Sequence, residues 1–188
     1  QPWTQVEVPV LIVFCCNHAR QRRLHDLAGH AFANDHLDAF FNAAVDAGIV
    51  LAGFVAAAEA VGLGACPISA LRNRPDEVDR LLGLTRHVFP VAGLALGYPA
   101  APAPVSQRLP LEETLRWNGW GTDDPGPLER YDAERRCHQP YATERPVPQP
   151  NPGSARPYGW IEDKARQYAR PERAGFGAYI RGKGFSLD

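Results

Sequence analysis

The sequence has no methionine and, among its 20 basic residues, only two lysines, Lys164 and Lys183. Because residue 1 is glutamine, the first residue is not an unprocessed translation start, and we expect the chain to be a fragment or a clipped form. Excess charge is also missing, since the formal net charge at pH 7 is −1. Such a chain has no broad electrostatic attraction to nucleic acid or to an anionic membrane, so neither is an expected partner.

Cysteine is scarce and irregularly spaced. The four cysteines, which form no C-x-x-C pair, are Cys15, Cys16, Cys66 and Cys137. This pattern argues against a disulfide framework and for a reducing compartment. The longest uncharged apolar run, Ala47 to Ala58, is too short to cross a bilayer. We therefore expect a soluble cytoplasmic protein with buried structural thiols, because an apolar strand would raise the pKa of Cys15 and Cys16.

Signatures of the common catalytic sites are missing as well. There is no G-x-S-x-G elbow, no G-x-x-x-x-G-K-[ST] phosphate loop and no G-x-G-x-x-G fingerprint. Four histidines lie close to the first two cysteines: His18, His25, His30 and His36. Their spacings match neither a zinc finger nor a helical i, i+4 pair. We interpret this segment as polar and incidentally rich in histidine, and we predict no metal site.

What is present is a series of well-marked apolar segments. Val8–Cys16 is a continuous β-branched and aromatic run, typical of a strand that is covered on both faces. Asn34 or Asp35 is expected to cap a helix that runs to about Val61. This helix is apolar nearly all round, so its own domain or a partner subunit must bury it.

Glycine and proline mark the boundaries of the next elements. Gly62 and Gly64 are predicted to end the long helix, because glycine adopts the left-handed conformation readily. Pro75 suits the first position of a second helix, and HVFPVAGLALGYP has the pattern of a second buried strand. The resulting β–α–α–β order indicates an α/β or α+β layer fold.

Beyond Pro99 the composition changes. Twelve of the 18 prolines lie between Pro99 and Pro157, which predicts an extended arm with short helices. One helix is expected around Leu128–His138, and two more helical pieces follow near the C-terminal end. At 188 residues the chain suits one domain. We predict core strands and a central helix in residues 1–99 and the arm in residues 100–188.

The segment AAEAVGLGACPISALRNRPDEVDRLLGL, followed by HVFPVAGLALGYP, resembles the nitroreductase family of FMN-dependent oxidoreductases. The resembling branch is that of the NADPH-preferring, oxygen-insensitive nitroreductases and flavin reductases. Further matches follow in order: SQRLP, Trp160 at a helix start, and ARPERAGFGAYIRGKGF. The resemblance implies an α+β fold with a central sheet flanked by helices. It also implies an intertwined homodimer with FMN at the subunit interface, and the absence here of the family's N-terminal part.

By this resemblance the FMN site falls on separate stretches of the sequence. The residues that would line the isoalloxazine ring, with a backbone N–H reaching flavin N5, are Pro67, Ile68, Ser69, Ala70 and Leu71. Arg108 matches a residue that pairs with the FMN phosphate, a role that suits a bidentate guanidinium. Ser106 stands where a lysine is often found, and Gln1 matches a flavin-contacting glutamine. Ser69-Ala70 replaces the usual pair of glycines.

The resemblance also implies an activity. Arg156 matches a loop position used for the 2′-phosphate of NADPH, and Arg170 and Arg173 match basic residues at the mouth of the substrate pocket. The implied reaction passes hydride from NADPH through FMN to nitroaromatics, quinones or flavins. It needs no catalytic side chain, because the flavin carries the redox chemistry. Two alternatives stay open: a flavin-binding member without turnover, and an inactive fragment of such an enzyme.

Overall fold

The computed structural model describes residues 8–102, 104–146 and 156–188. The chain divides into two compact units, which are treated separately below. The first unit reaches to Pro102 and also takes in Arg173–Asp188, and the second extends between them to Glu172. Gln1, predicted to contact the flavin, lies outside the described residues. The organisation as one domain with a C-terminal arm stays a prediction.

Helices and a three-stranded antiparallel sheet build the first unit, which agrees with the expected α+β class. Its elements are β1 (Val10–Asn17), α1 (Ala19–Ala28), α2 (Leu37–Ala60), β2 (Gly64–Ile68), a 3₁₀ turn (Ala70–Asn73), α3 (Pro75–Leu82), β3 (Val88–Gly97) and α7 (Phe176–Gly182). The second unit contributes α4 (Leu111–Thr114), α5 (Gly126–His138) and α6 (Trp160–Tyr168). These bounds confirm the helices predicted from Pro75, around residues 128–138, and in two pieces near the C-terminal end.

β3 is the central strand of the sheet and pairs antiparallel with β1 on one side and with β2 on the other. The two long strands were predicted, but β2 was not, and Gly64 begins this strand instead of ending α2. The expectation that both faces of the first strand are covered is wrong for a single copy of the chain. Val10 and Leu11 are 46% and 60% exposed, and only the second half of β1 reaches the core.

α2 is capped by a residue that the sequence did not suggest. The backbone N–H of Asp38 donates to Nδ1 of His36 at 3.3 Å. The two predicted caps have other partners: Asn34 Oδ1 lies 2.7 Å from His36 Nε2, and the Asp35 carboxylate accepts two bonds from Arg22 at 2.5 and 3.1 Å. The prediction of Asn34 or Asp35 as the cap is therefore wrong.

The fully buried side chains of α2 are all small, and the partly buried Phe40 also packs on the core of the unit. The buried side chains are Ala39, Ala43, Ala47 and Ala58, and Gly62, with φ of +80°, follows the helix end as predicted. Several of its large apolar side chains are exposed, among them Phe41 (59%), Ile49 (65%) and Val50 (59%). By length and composition alone, this 24-residue helix could cross a membrane. Its longest uncharged run, Ala47–Ala58, is by itself too short to do so. An apolar face of this kind marks a contact surface.

The core of the first unit is built around Phe89. Phe40 stacks on the Phe89 ring at a centroid distance of 5.3 Å, and Phe185 meets it edge-on at 5.3 Å. Ile180 and Cys16, each 1% exposed, belong to the same cluster. Residues after the second unit therefore complete the core of the first one.

A buried ion pair joins the same C-terminal residues to α3. Lys183 Nζ donates to both carboxylate oxygens of Asp79 at 2.8 Å and to the carbonyl of Leu84 at 2.9 Å. Lys183 is only 8% exposed. A buried ammonium group is tolerated only when it is paired and hydrogen-bonded. Here the pair fixes α3 against the segment that carries α7.

In the second unit a buried carboxylate connects α5 to α6. Asp132, 1% exposed, accepts from Arg136 at 2.7 Å and from the backbone N–H of Ile161 at 3.0 Å. Gly159 leaves room for this contact, because a Cβ there would lie 2.8 Å from Oδ2 of Asp132 and closer still to Oδ1. The start of α6 is therefore positioned by a side chain of α5.

Candidate functional site

The predicted flavin segment runs from the end of β2 into the 3₁₀ turn. Pro67 and Ser69 are exposed, whereas Ile68 between them is 8% exposed and pairs with Gly93 of β3. This alternation is the period-two pattern of a strand. Ile68 therefore supports the sheet with its side chain, and a ligand on the open face would meet its backbone.

The turn itself is held against β3 by two side chains. A Cβ at Gly93 would lie 2.8 Å from Cδ2 of Leu71, so the absence of a side chain there lets Leu71 pack on the strand. Arg72 donates from its guanidinium to the carbonyl of Val91. Burial, followed by the charge of Arg173, lowers the pKa of Arg72. The small residues Ser69 and Ala70 thus belong to a turn that is fixed from beneath.

Arg173 lies beside this turn, although it is 100 positions from Asn73 and 104 positions from Ser69 in the sequence. Its Nε donates to Asn73 Oδ1 at 2.8 Å, and one terminal nitrogen lies 3.4 Å from Ser69 Oγ. Arg173 has a φ of +58°, in the left-handed region that non-glycine residues seldom adopt. The structure therefore brings a residue predicted for the substrate pocket to the segment predicted for the flavin. Asn73 was missed, although it directly follows the predicted segment.

In the second unit, the segment that carries Ser106 and Arg108 is fixed through the residue between them. The N–H of Gln107 donates to Gln139 Oε1 at 3.0 Å, and its carbonyl accepts from the Tyr131 hydroxyl at 3.0 Å. Ser106 and Arg108 are exposed on either side. Fixing the backbone in this way leaves both side chains available to a ligand. Nothing in the local sequence pattern pointed to Tyr131 or Gln139.

The remaining predicted cations occupy different settings. Arg156 pairs with Glu129 of α5 at 3.2 Å, with the two side chains 38% and 56% exposed. A surface pair of this kind contributes little stability, so Arg156 can exchange this partner for a phosphate at small cost. Arg170 is exposed and belongs to the second unit, whereas Arg173 belongs to the first.

The histidines and cysteines near β1 have structural surroundings. Within the described residues, no group of three or more His, Cys, Asp or Glu side chains could hold a metal ion. The His18 ring packs edge-on against Phe32 at 5.1 Å. Burial raises the pKa of the Cys16 thiol to about 12, which agrees with a structural role. Cys66 and Cys137 are exposed, so the expectation of buried thiols is wrong for these two.

The resemblance assigned the segment Pro67–Leu71 to the flavin and Arg173 to the mouth of the substrate pocket, and the structure brings Arg173 to this segment and to Asn73. The model of the Nitroreductase family matches residues 6–98 of this chain. On this match and on the similar sequences and structures below, residues 6–98 form a nitroreductase-family region.

Two curated relatives illustrate the similarity in sequence. The chain is 42% identical over 116 residues to FMN reductase [NAD(P)H] of Bacillus subtilis, covering 60% of this chain and 45% of that protein. It is 38% identical over 90 residues to the oxygen-insensitive NADPH nitroreductase of Salmonella typhimurium, covering 48% and 38% respectively. The chain thus spans less than half the length of these two relatives.

Solved structures show the same fold over nearly the whole chain. The hypothetical oxidoreductase YcnD of Bacillus subtilis superposes with a TM-score of 0.86 at 29% identity, covering 100% of this chain and 73% of that one. The NADPH:FMN oxidoreductase of Vibrio harveyi, solved with NAD⁺, gives a TM-score of 0.75 at 25% identity, with 94% and 67% covered. The α+β nitroreductase fold is therefore confirmed.

Proposed function

We propose that this chain belongs to an FMN-dependent oxidoreductase that takes hydride from NADPH and delivers electrons to nitroaromatics, quinones or flavins. The observation that carries this proposal is the contact of Arg173 with Ser69 and Asn73, which puts a cation beside a small-residue turn. FMN, when bound, would supply the redox chemistry. The names and similarity of the curated relatives support this choice of cofactor and co-substrate.

The chain's own residues fit a flavin face at this turn. Ser69 and Ala70 are small, and Pro67 is exposed, so a flat ring could approach the backbone closely. The first N–H groups of a helical turn have no partner within the turn, and one of them could donate to a ring nitrogen. The Arg173 guanidinium would favour negative charge on the bound molecule.

The residues proposed to bind phosphate are arginines and one serine. Arg108 is exposed next to a fixed backbone and is proposed to bind the FMN phosphate, with Ser106 as a weaker contact. Arg156 is proposed to bind the 2′-phosphate of NADPH, and Arg170 and Arg173 to hold the nucleotide or the electron acceptor. No side chain is assigned as a proton donor or acceptor.

The exposed apolar face of α2 supports a homodimer. Phe41, Ile49 and Val50 are exposed on a helix whose alanines pack on the sheet. We propose that a second copy of the chain covers this face, since a monomer would leave these side chains in water. Four free thiols accord with a cytoplasmic location, which is also part of the proposal.

The test is an absorbance spectrum of the chain after it is mixed with FMN and desalted, followed by anaerobic titration with NADPH. We expect a flavin band that is retained and then bleached. A retained band that stays oxidised would favour a binding-only protein. If no flavin survives desalting, the 188-residue chain is not a working flavoprotein, and the proposal fails for it.

A matched pair of variants isolates the cation at the turn. Arg173→Gln removes the guanidinium that contacts Ser69 and Asn73, whereas Arg181→Gln removes an exposed arginine from α7. Losing a charge-assisted hydrogen bond of about 1.5–3 kcal/mol should slow bleaching at low NADPH roughly 10- to 100-fold. The Arg181 variant should behave as the wild type. Equal rates in both variants would contradict the role given to Arg173.

A further inference from the structure

The two ends of the segment that contains Arg156 are bonded to each other. The backbone N–H of Arg145 donates to the Tyr158 hydroxyl oxygen at 2.8 Å, across 13 positions of sequence. That hydroxyl in turn donates to Oδ1 of Asp163 at 2.6 Å. Nε of Arg145 donates to the same oxygen at 2.8 Å. A single carboxylate on α6 therefore gathers both ends of the segment.

A second side chain of α6 supports this closure. Arg166 donates to the backbone carbonyl of Arg145 at 2.8 Å, and its guanidinium lies 4.8 Å from the centroid of the Tyr158 ring. Arg166 itself is held by Glu162 at 2.7 Å. Within the described residues, the two ends of the segment are therefore held by side chains from about one turn of α6.

Asp163 is 2% exposed, which is unusual for a charged side chain. Burial acts to raise the pKa of Asp163, but the bond from Tyr158 and the charge of Arg145 outweigh it and hold the pKa below its ordinary value. Its other oxygen, Oδ2, has Lys164 Nζ at 3.4 Å but no hydrogen bond of good geometry. Asp163 is thus an ionised group whose good hydrogen bonds go to the two ends of this segment.

Arg156 lies two residues before Tyr158. The position and orientation of the Arg156 side chain therefore depend on where Tyr158 is held. A guanidinium contributes most to phosphate binding when it is positioned before the ligand arrives. We propose that Asp163 is a positioning residue that, through Tyr158 and Arg145, orients Arg156 and so sets the affinity for an adenosine nucleotide with a 2′-phosphate. This inference rests on the proposed use of NADPH.

The test is calorimetric titration of the 188-residue chain with 2′,5′-ADP, and with 5′-AMP as the matched nucleotide that lacks the 2′-phosphate. Asp163→Asn keeps the side-chain volume and removes the charge, and Tyr158→Phe removes the hydroxyl that joins the two ends. We expect both variants to bind 2′,5′-ADP about tenfold more weakly and 5′-AMP as the wild type does. A general loss of structure would instead weaken the binding of both nucleotides equally.

A double-variant cycle shows whether the effect passes through Arg156. Arg156→Gln should remove the preference for 2′,5′-ADP, and adding Asp163→Asn to it should change nothing further, because coupled residues are not additive. Additive losses would overturn the inference. Unchanged 2′,5′-ADP binding in both single variants would also overturn it. If Asp163→Asn fails to fold, Tyr158→Phe decides.

The same experiment separates this inference from the proposed function. If the wild type binds 2′,5′-ADP no better than 5′-AMP, the proposed role of Arg156 fails and the inference falls with it. If the wild type discriminates and both single variants discriminate equally well, only the inference fails. Neither readout requires turnover or bound flavin.

Discussion

Replacing Gly159 by alanine tests the most closely packed polar contact of the second unit. Gly159 has a φ of −151°, which any residue can adopt, so the substitution introduces no backbone strain. The added Cβ would lie 2.9 Å from Cγ of Asp132 and 2.8 Å from Oδ2. Because real Cβ atoms do not approach other atoms so closely, the Asp132 carboxylate must move.

The cost follows from what that carboxylate holds. Moving Asp132 weakens its bond to the N–H of Ile161 at 3.0 Å and its ion pair with Arg136 at 2.7 Å. Hydrogen bonds to a charged group contribute about 1.5–3 kcal/mol each, and relaxation will recover part of the loss. We therefore expect Gly159→Ala to destabilise by about 3 kcal/mol. In a chain of this length that corresponds to a Tm decrease on the order of 10 °C.

The assay is urea unfolding followed by tryptophan fluorescence, which reports mainly on the second unit because Trp117, Trp120 and Trp160 lie there. Gly119→Ala is the matched control. Gly119 also lies in the second unit, but a Cβ there would meet nothing within 4 Å, so we expect a change within about 0.5 kcal/mol. If both variants unfold like the wild type, the packing of Gly159 on Asp132 is refuted.

Three further outcomes are expected. Lys183→Met leaves Asp79 without its cation and should cost about 3–5 kcal/mol in urea unfolding, whereas the double variant Lys183→Met/Asp79→Leu should recover most of it. Since the folded pKa of Cys16 is raised from 9.0 to about 12, stability should fall as pH rises between these values, and Cys16→Ala should flatten that slope. Cys66, which is exposed, should react with maleimide in the native chain, whereas Cys16 should react only in denaturant; equal labelling of both would contradict the burial.

The elements that were predicted correctly are those whose signal is contained in a short stretch. β3 is a long apolar run, and α3 begins at Pro75 with acidic residues in its first turn. β2 was missed because it has only five residues and contains Pro67, which weakens a strand prediction. Its position at the edge of the sheet explains why proline is tolerated there.

Side-chain competition explains the error at the start of α2. Asn34 and Asp35 are both good cap residues by type. The sequence alone does not show that Arg22, 13 positions earlier, takes the Asp35 carboxylate, or that Asn34 bonds the ring of His36. A cap prediction fails when a partner distant in sequence binds the capping group first.

In the candidate site, too, some residues are predictable from a short stretch of sequence and others are not. The residues proposed to meet ligands follow one another closely, as Pro67 to Leu71 do, and a family pattern can identify them. The residues that hold them come from elsewhere in the chain: Arg173 bonds Asn73 across 100 positions, and Tyr131 bonds Gln107 across 24. No periodicity links such pairs, so only the folded structure shows them.

The return of residues 173–188 to the first unit has a consequence for synthesis of the protein. Ile180 and Phe185 fill the core around Phe89, and Lys183 neutralises Asp79. A ribosome therefore releases the sheet and α2 well before the side chains that complete their packing have been made. During that interval the nascent chain exposes an unfinished apolar surface, and chaperones that bind such surfaces would compete with premature association. A premature stop codon in the region encoding α7 would make this interval permanent and direct the product to proteolysis.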